Sequence, residues 1–347
     1  MIRVGIVGAT GYGGAELIRL LAGHPHVQIA NLYSSSAEGE SLEKTFPHVS
    51  GLGLPKLAPI DAQSMSKDND VIFLATPAGV SADLSPQLMK LGGTKVIDLS
   101  GDFRLESADA YRSWYKKEPA PAEWVEKAVY GLTEWNYEQV AGASLVANPG
   151  CYPTATLLAL IPLMQKGWVK PDSWIVDAKS GVSGAGRGLS MGVHYSEINE
   201  SIHAYKVAKH QHTPEIEQEL AKLSGIASLV QFTPHLVPMT RGILVTAYGQ
   251  LETKVTQAQA QELFEATYAD KPFVRVRPAG SHPHTKEVLG SNYCDISVHV
   301  DERTGRVIVL SVIDNMVKGA AGQALQNMNV MFQIPEKAGL PLVPVFP

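Results

Sequence analysis

A cysteine, Cys151, heads an apolar-periodic stretch running from Thr154 to Met164, directly after the bend-forming pair Pro149-Gly150. The spacing predicts a helix whose first turn accepts Pro153 without loss, because the missing N–H would have had no helical partner there. Unpaired N–H groups and the positive dipole end of such a helix stabilise an anion, which lowers a thiol pKa and makes Cys151 a candidate nucleophile. The competing reading is a small buried hydrophobe. His210 and His212 stand just ahead of a second expected helix, with Thr213 as its N-cap, Pro214 in its first turn and Ile216 and Leu220 on its apolar stripe. Imidazole is the side chain best suited to exchange a proton with a thiol or a carbonyl oxygen near neutral pH. His-x-His also suits a metal, but no further clustered ligands accompany it and no metal is expected. The other cysteine, Cys294, alternates with Ile296, Val298 and Val300 on one strand face and reads as core, with His299 turned to the opposite face.

A second chemical signature opens the chain. A short apolar run over 2–7 leads at once into Gly8-Ala9-Thr10-Gly11-Tyr12-Gly13-Gly14 and then into a helical pattern with Leu17, Ile18, Leu20 and Leu21. Glycines let the backbone approach a pyrophosphate, and the following helix start supplies N–H groups and positive potential, so this is a dinucleotide-binding turn or a tight turn without a ligand. The next strand ends in Ser34-Ser35-Ser36, where an NAD-preferring fold places a carboxylate on the ribose. Hydroxyls there suit a 2′-phosphate, so NADP is the expected cofactor; the alternative is a polar loop. Further candidates follow the expected strands over 70–76 and 95–100, namely Thr76, Pro77 and Ser100. Arg104 is either a planar fork for a phosphate or carboxylate or a surface salt bridge to Asp102 or Glu106. A glycine-rich loop from Ser180 through Ser183, Gly184 and Arg187 suits a cofactor and is equally readable as a flexible surface loop.

These residues need a scaffold, and the hydrophobic pattern supplies one. Near-continuous apolar strands alternate with helix candidates such as 78–91, the rhythm of a doubly wound parallel sheet whose ligand crevice lies beyond the strands' carboxyl ends. The strand over 144–148 brings Cys151 to that side. After Cys151 the texture changes to longer strands over 173–179, 227–235, 242–251, 292–301 and 306–313, an open and mostly antiparallel sheet, with a helix over 256–268. The fold class expected is therefore α/β, a Rossmann-type parallel sheet followed by an α+β domain. The first domain spans 1–150 and is completed by 315–347, with a final helix of small residues and an extended apolar strap at 340–347; the second spans 151–314.

At 347 residues, 45% apolar and 18% charged, with a net charge of −5, the composition is that of an ordinary globular protein. There is no basic block for nucleic acid or an anionic membrane surface, no CxxC and no apolar run of membrane-spanning length. A cytoplasmic enzyme with small-molecule partners is expected.

The ordered set Gly8 to Gly14, Asp98-Leu99-Ser100-Gly101-Asp102-Phe103-Arg104, Tyr130-Gly131-Leu132, Asn148-Pro149-Gly150-Cys151-Tyr152-Pro153-Thr154, Lys179 to Arg187, His210-x-His212-x-Pro214-Glu215-Ile216 and Asp314 to Gln323 resembles the N-acetyl-γ-glutamyl-phosphate reductase family across essentially the whole chain. That family belongs to the group that includes aspartate-semialdehyde dehydrogenase. The resemblance implies NADPH-dependent conversion of an acyl phosphate to N-acetylglutamate 5-semialdehyde and phosphate, in arginine biosynthesis. Cys151 would be the thioester-forming nucleophile and His210 the acid/base, with His212 and Glu215 nearer the substrate. Arg104, Asn148, Ser180 and Tyr205 would also serve the substrate, with Arg104 on the leaving phosphate, while Ser183, Gly184 and Asn315 would border the nicotinamide. The resemblance further implies a homo-oligomer, a tetramer or a dimer, with the second domain as the catalytic and oligomerisation domain. Two positions depart from the pattern: Gln211 where a basic residue is expected, and Thr133 where proline is common. The alternatives are a sister enzyme acting on aspartyl phosphate or another acyl phosphate, and a non-catalytic NADP-binding sensor with the same fold.

Overall fold

The computed structural model describes residues 1–35 and 37–346; Ser36 and Pro347 lie outside the described residues. The chain divides into two compact units, one of Met1–Gly150 with Ala320–Pro341, the other of Cys151–Gly319 with the terminal residues from Leu342.

In the first unit, β1 (Ile2–Val7), β2 (Val27–Tyr33), β3 (Leu57–Ala58), β4 (Val71–Leu74), β5 (Lys95–Asp98), β6 (Val129–Tyr130) and β7 (Leu145–Ala147) form a parallel sheet in the order β3-β2-β1-β4-β5-β7-β6. All four residues of β4 are buried, as expected of a strand covered on both faces. The helices are α1 (Tyr12–Leu21), α2 (Ala62–Asp68), α3 (Val80–Leu91), α4 (Ala108–Tyr115), α5 (Ala122–Val125) and α6 (Thr133–Gly142). Strand order reverses between β1 and β4, the switch point beside which such sheets bind ligands. The helix expected over 78–91 begins two residues late. Gly79 takes φ +98°, and the cap comes from a distant residue: Asp102 accepts the N–H groups of Gly79 at 2.8 Å and Ala82 at 2.9 Å.

The second unit is built around α7 (Cys151–Gln165), buried from Tyr152 through Met164. A helix apolar all round belongs in a core. Its internal Pro162 cannot donate to the Leu158 carbonyl, and the Tyr268 hydroxyl donates there instead. The remaining elements are β8 (Trp174–Gly181), α8 (Tyr195–Ile198), β9 (His203–Ala204), α9 (His212–Ser224), β10 (Val230–Val237), β11 (Ile243–Gln250), α10 (Gln257–Tyr268), β12 (Val274–Val276), β13 (Cys294–Asp301) and β14 (Arg306–Ile313). Their sheet runs β12-β13-β14-β11-β8-β10-β9 and is mixed, parallel at β12/β13 and β8/β10 and antiparallel elsewhere. Cys294 is fully buried, alongside Ile296.

The last helix, α11 (Gly322–Met331), returns to the first unit and is buried along its whole length. Residues 315–319, expected with the first domain, group with the second, as does the tail from Leu342. The tail is tied down by the Val345 N–H to Leu289 carbonyl bond at 2.8 Å. Its apolar side chains are not docked as expected: Val343, Val345 and Phe346 are exposed.

Candidate active site

In the first unit the predicted dinucleotide turn lies at the exit of β1, beside the exit of β4. A Cβ on Gly8 would collide with the Ala75 carbonyl oxygen, and one on Gly14 with the Gly8 carbonyl oxygen. No side chain caps α1, and its first turn carries no acidic residue. The Gly11 N–H is taken by the Gly8 carbonyl at 3.0 Å, which leaves the N–H groups of the first turn, at Tyr12 and Gly13, to present the positive end of the helix to an anion. Thr76 Oγ1, at the neighbouring strand exit, is buried without a hydrogen-bond partner among the described residues. These features fit a pyrophosphate. Thr10 lies half-buried in the same turn, Pro77 is exposed beside it, Ser34 is buried and Ser35 is exposed at the end of β2; Ser36 lies outside the described residues.

Three expected ligands in this unit are engaged internally. Ser100 donates its hydroxyl to the buried Asp98 carboxylate at 2.6 Å. Burial, and then the nearby Asp102 charge, raise the Asp98 pKa. Arg104 is buried, at 7% exposed. Its Nε donates to the Asn148 carbonyl at 2.7 Å and its Nη2 to the Leu99 carbonyl at 3.0 Å, so the guanidinium ties strand exits together. Asn148, 1% exposed, accepts from Asn327 Nδ2 at 3.0 Å and donates to the Ala320 carbonyl at 3.2 Å. A side chain bonded at both amide ends is a clamp within the protein and has little left for a substrate.

The second unit gathers the chemical side chains. Cys151 is the first residue of α7 and is half-buried. Tyr152 packs edge-on to His210 with ring centroids 5.6 Å apart; Tyr205 and Phe232 stand 5.5 Å and 5.4 Å from the same imidazole, and His212 stands 4.7 Å away. The Tyr205 hydroxyl donates to the Tyr152 hydroxyl at 3.3 Å, and Tyr152 to the His235 carbonyl at 3.2 Å. Burial pushes the Tyr205 hydroxyl up to about 12, with a further push from Cys151. His210 is 3% exposed, and burial first, then the Lys206 charge, push its pKa down to about 3. Gln211, the departure from the expected basic residue, holds the Lys206 ammonium at 3.0 Å.

The histidines do not both precede the helix. His212 is its first residue and Gln211 its N-cap position, two residues ahead of the expected Thr213 cap. His210 Nδ1 accepts the His212 N–H at 3.2 Å, and its carbonyl accepts the Thr213 N–H at 3.0 Å, so histidine does the capping. Glu215 is fully buried in the first turn, where a carboxylate complements the helix dipole. Asn315 accepts from the Gly242 N–H at 2.8 Å and donates to Ser183 Oγ at 2.9 Å, while Gly184 lies against Ser180 and Asn315. Ser180, Ser183, Gly184 and Asn315 thus form one cluster at the end of β8, where the chain makes a 3₁₀ turn, Val182–Ala185.

Over its full 347 residues the chain is 80% identical to the N-acetyl-gamma-glutamyl-phosphate reductase of Brevibacillus brevis, covering 100% of both chains, and it is 52% identical over 346 residues to the Geobacillus kaustophilus protein of the same name, again covering 100% of each. The chain belongs to the N-acetyl-gamma-glutamyl-phosphate reductase family. It is an oxidoreductase family, and two family models agree: semialdehyde dehydrogenase, NAD binding domain, over residues 3–143, and semialdehyde dehydrogenase, dimerisation domain, over 151–315. The first unit is accordingly a nicotinamide-dinucleotide-binding domain. The fold is shared with aspartate semialdehyde dehydrogenase II of Vibrio cholerae in complex with ASA, at TM-score 0.72 and 17% identity over 96% of this chain and 98% of that one. Family resemblance did not point to Asn327 or Phe232, which carry no chemical signal in sequence. Gly319 lies inside the resembling stretch Asp314 to Gln323, but the run Gly319-Ala320-Ala321-Gly322 marks a close approach without saying of what.

Proposed function

We propose that this member of the family reduces N-acetyl-γ-glutamyl phosphate to N-acetylglutamate 5-semialdehyde, with release of phosphate, through a thioester on Cys151. The observation that carries the reading is a half-buried cysteine at the first position of a buried helix, followed in the chain by Tyr152, whose ring packs on the desolvated His210 imidazole and whose hydroxyl accepts from Tyr205. The helix start favours the thiolate. Its sulfur attacks the acyl carbon; the S–C bond forms, the C–O bond to phosphate breaks, and phosphate leaves with the electron pair. N–H groups at the start of α7 are suited to hold the oxyanion. A nicotinamide cofactor would be held by Gly8 to Gly14, Thr76 and Ser35, and would supply hydride as the reductant.

The preference for NADP is supported by Ser34-Ser35 at the end of β2, with no carboxylate for the ribose hydroxyls. Neither cysteine forms a disulfide, which suits a reducing cytoplasm. Homo-oligomer formation is supported by the open face of the second sheet, where Ile175 is 44% exposed.

Mixing the protein with the acyl phosphate in the absence of cofactor and measuring peptide masses tests the reading. An acetylglutamyl adduct on the Cys151 peptide, missing in Cys151→Ala, is the expected result. Full turnover by Cys151→Ala would remove the thioester route, and faster turnover of aspartyl phosphate would reassign the substrate. Equal kcat/KM for NADH and NADPH would undo the cofactor preference.

A further inference from the structure

The stretch after β14 does not simply open the final helix. Val317–Ala321 winds as a π-helical turn, in which the Gly319 N–H donates to the Asp314 carbonyl five residues back at 3.0 Å. Asp314 is fully buried, and its carboxylate holds the turn to its surroundings. One oxygen accepts the N–H groups of Met316 at 2.8 Å and Val317 at 3.3 Å; the other accepts the Gly290 N–H at 2.8 Å and faces Arg241 at 3.5 Å. At the far side of this anchored turn a Cβ on Gly319 would stand 2.8 Å from Cβ of Cys151, 3.2 Å from its Cα and 3.2 Å from Cδ1 of Ile313. Gly319 does not take a positive φ, so space and not backbone conformation demands the glycine.

We infer that the Asp314-anchored π-turn, acting through Gly319, is the positioning element for the Cys151 nucleophile. The inference rests on the reading of Cys151 as the nucleophile. A π-turn shifts every following residue relative to a regular helix, and such turns recur at functional sites. Here the shift brings bare backbone against the Cα–Cβ bond of Cys151. Backbone held by a buried carboxylate is a stiffer wall than a side chain with rotamer freedom, and reacting atoms need placement to a fraction of an ångström.

The full-length protein carrying Gly319→Ala is assayed in two ways: steady-state turnover, and the pH dependence of iodoacetamide alkylation of Cys151, read by the mass of its peptide. A fall in kcat of about 10- to 100-fold is expected, with KM for NADPH unchanged and a displaced alkylation profile. Adding Ile313→Val removes the Cδ1 contact and leaves the Cys151 contact, so the double variant is expected to stay impaired. Its recovery would assign the loss to core crowding and overturn the inference, as would wild-type alkylation and kcat in Gly319→Ala. If Gly319→Ala does not fold, Asp314→Ala and Asp314→Asn decide. The first is expected to displace the Cys151 alkylation profile and the second, which keeps an acceptor for the Met316 N–H, to restore most of it; a wild-type profile in Asp314→Ala overturns the inference. Full activity of Cys151→Ala would sink the thioester reading alone, because alkylation reports placement of the thiol whatever its use.

Discussion

An imidazole whose pKa lies near 3 is not a proton carrier at neutral pH. His210 accepts the His212 N–H at Nδ1, so its own proton sits on Nε2, and the neutral ring is a hydrogen-bond donor there. Taking up a second proton would place a charge among Tyr152, Tyr205 and Phe232 and would turn Nδ1 into a donor facing another donor. A neutral ring in this tautomer is suited to donate a hydrogen bond from Nε2. The same feature has a stability signature. Between its ordinary 6.5 and its native value of about 3, the unfolded chain binds a proton that the native ring refuses. Native stability is therefore level above pH 6.5 and falls as pH drops through that window, by at most about 1.4 kcal/mol per pH unit from this group. Urea unfolding from about pH 4.5 to 7.5 is expected to give a shallower slope in His210→Phe than in the wild type. Identical slopes would mean that folding does not lower the ring's pKa.

A polar network joins several elements of the first unit. Thr133, at the start of α6, donates to Asn327 at 2.6 Å and accepts from Gln323 at 2.9 Å; Asn327 also donates to the Gly131 carbonyl at 2.8 Å and to Asn148. A proline at position 133 could make neither side-chain bond, so this departure from the family pattern adds two links. Thr133→Val would leave buried amide groups of α11 short of partners, a loss of about 1–3 kcal/mol. Equilibrium urea denaturation measures it, and an unchanged midpoint would show that the network rearranges at no cost.

The parallel strands and the glycine turn were legible in the sequence because burial on both faces writes itself as an apolar run, and because Gly8 and Gly14 leave no room for a Cβ. The helix starting at Cys151 was legible for the same reason of periodicity. Asn148 was not, since an asparagine that binds a substrate and one that binds Asn327, 179 residues away, are spelled alike. The start of α9 was misplaced because the usual capping side chain, Thr213, was assumed, whereas the ring two residues before His212 took the N–H. No sequence rule marks a π-turn: the letters 317–321 suit a regular helix equally well, and only the packing of Gly319 on Cys151 distinguishes them.

At the scale of the whole molecule, the second sheet keeps one face under α7, α9 and α10 and leaves the other half open, with alternating burial along β8, β10 and β11. Ile175 stands exposed on this face, within the region matched by a dimerisation domain, and is proposed to meet a second copy. Ile175→Glu is expected to lower the mass measured by light scattering; an unchanged mass would move the interface elsewhere.

The chain leaves the first unit at Gly150 and rejoins it only at Ala320, and the rejoining helix α11 is buried along its length, against α1, α6 and β5. During synthesis the first unit must therefore wait, its core open, while the second unit, all but its terminal residues from Leu342, is made and is free to fold. A nascent chain arrested once Gly319 has cleared the ribosome is expected to yield a protease-resistant fragment beginning near Cys151 and a sensitive one before it. The half of the protein that is made first is the half that is finished last.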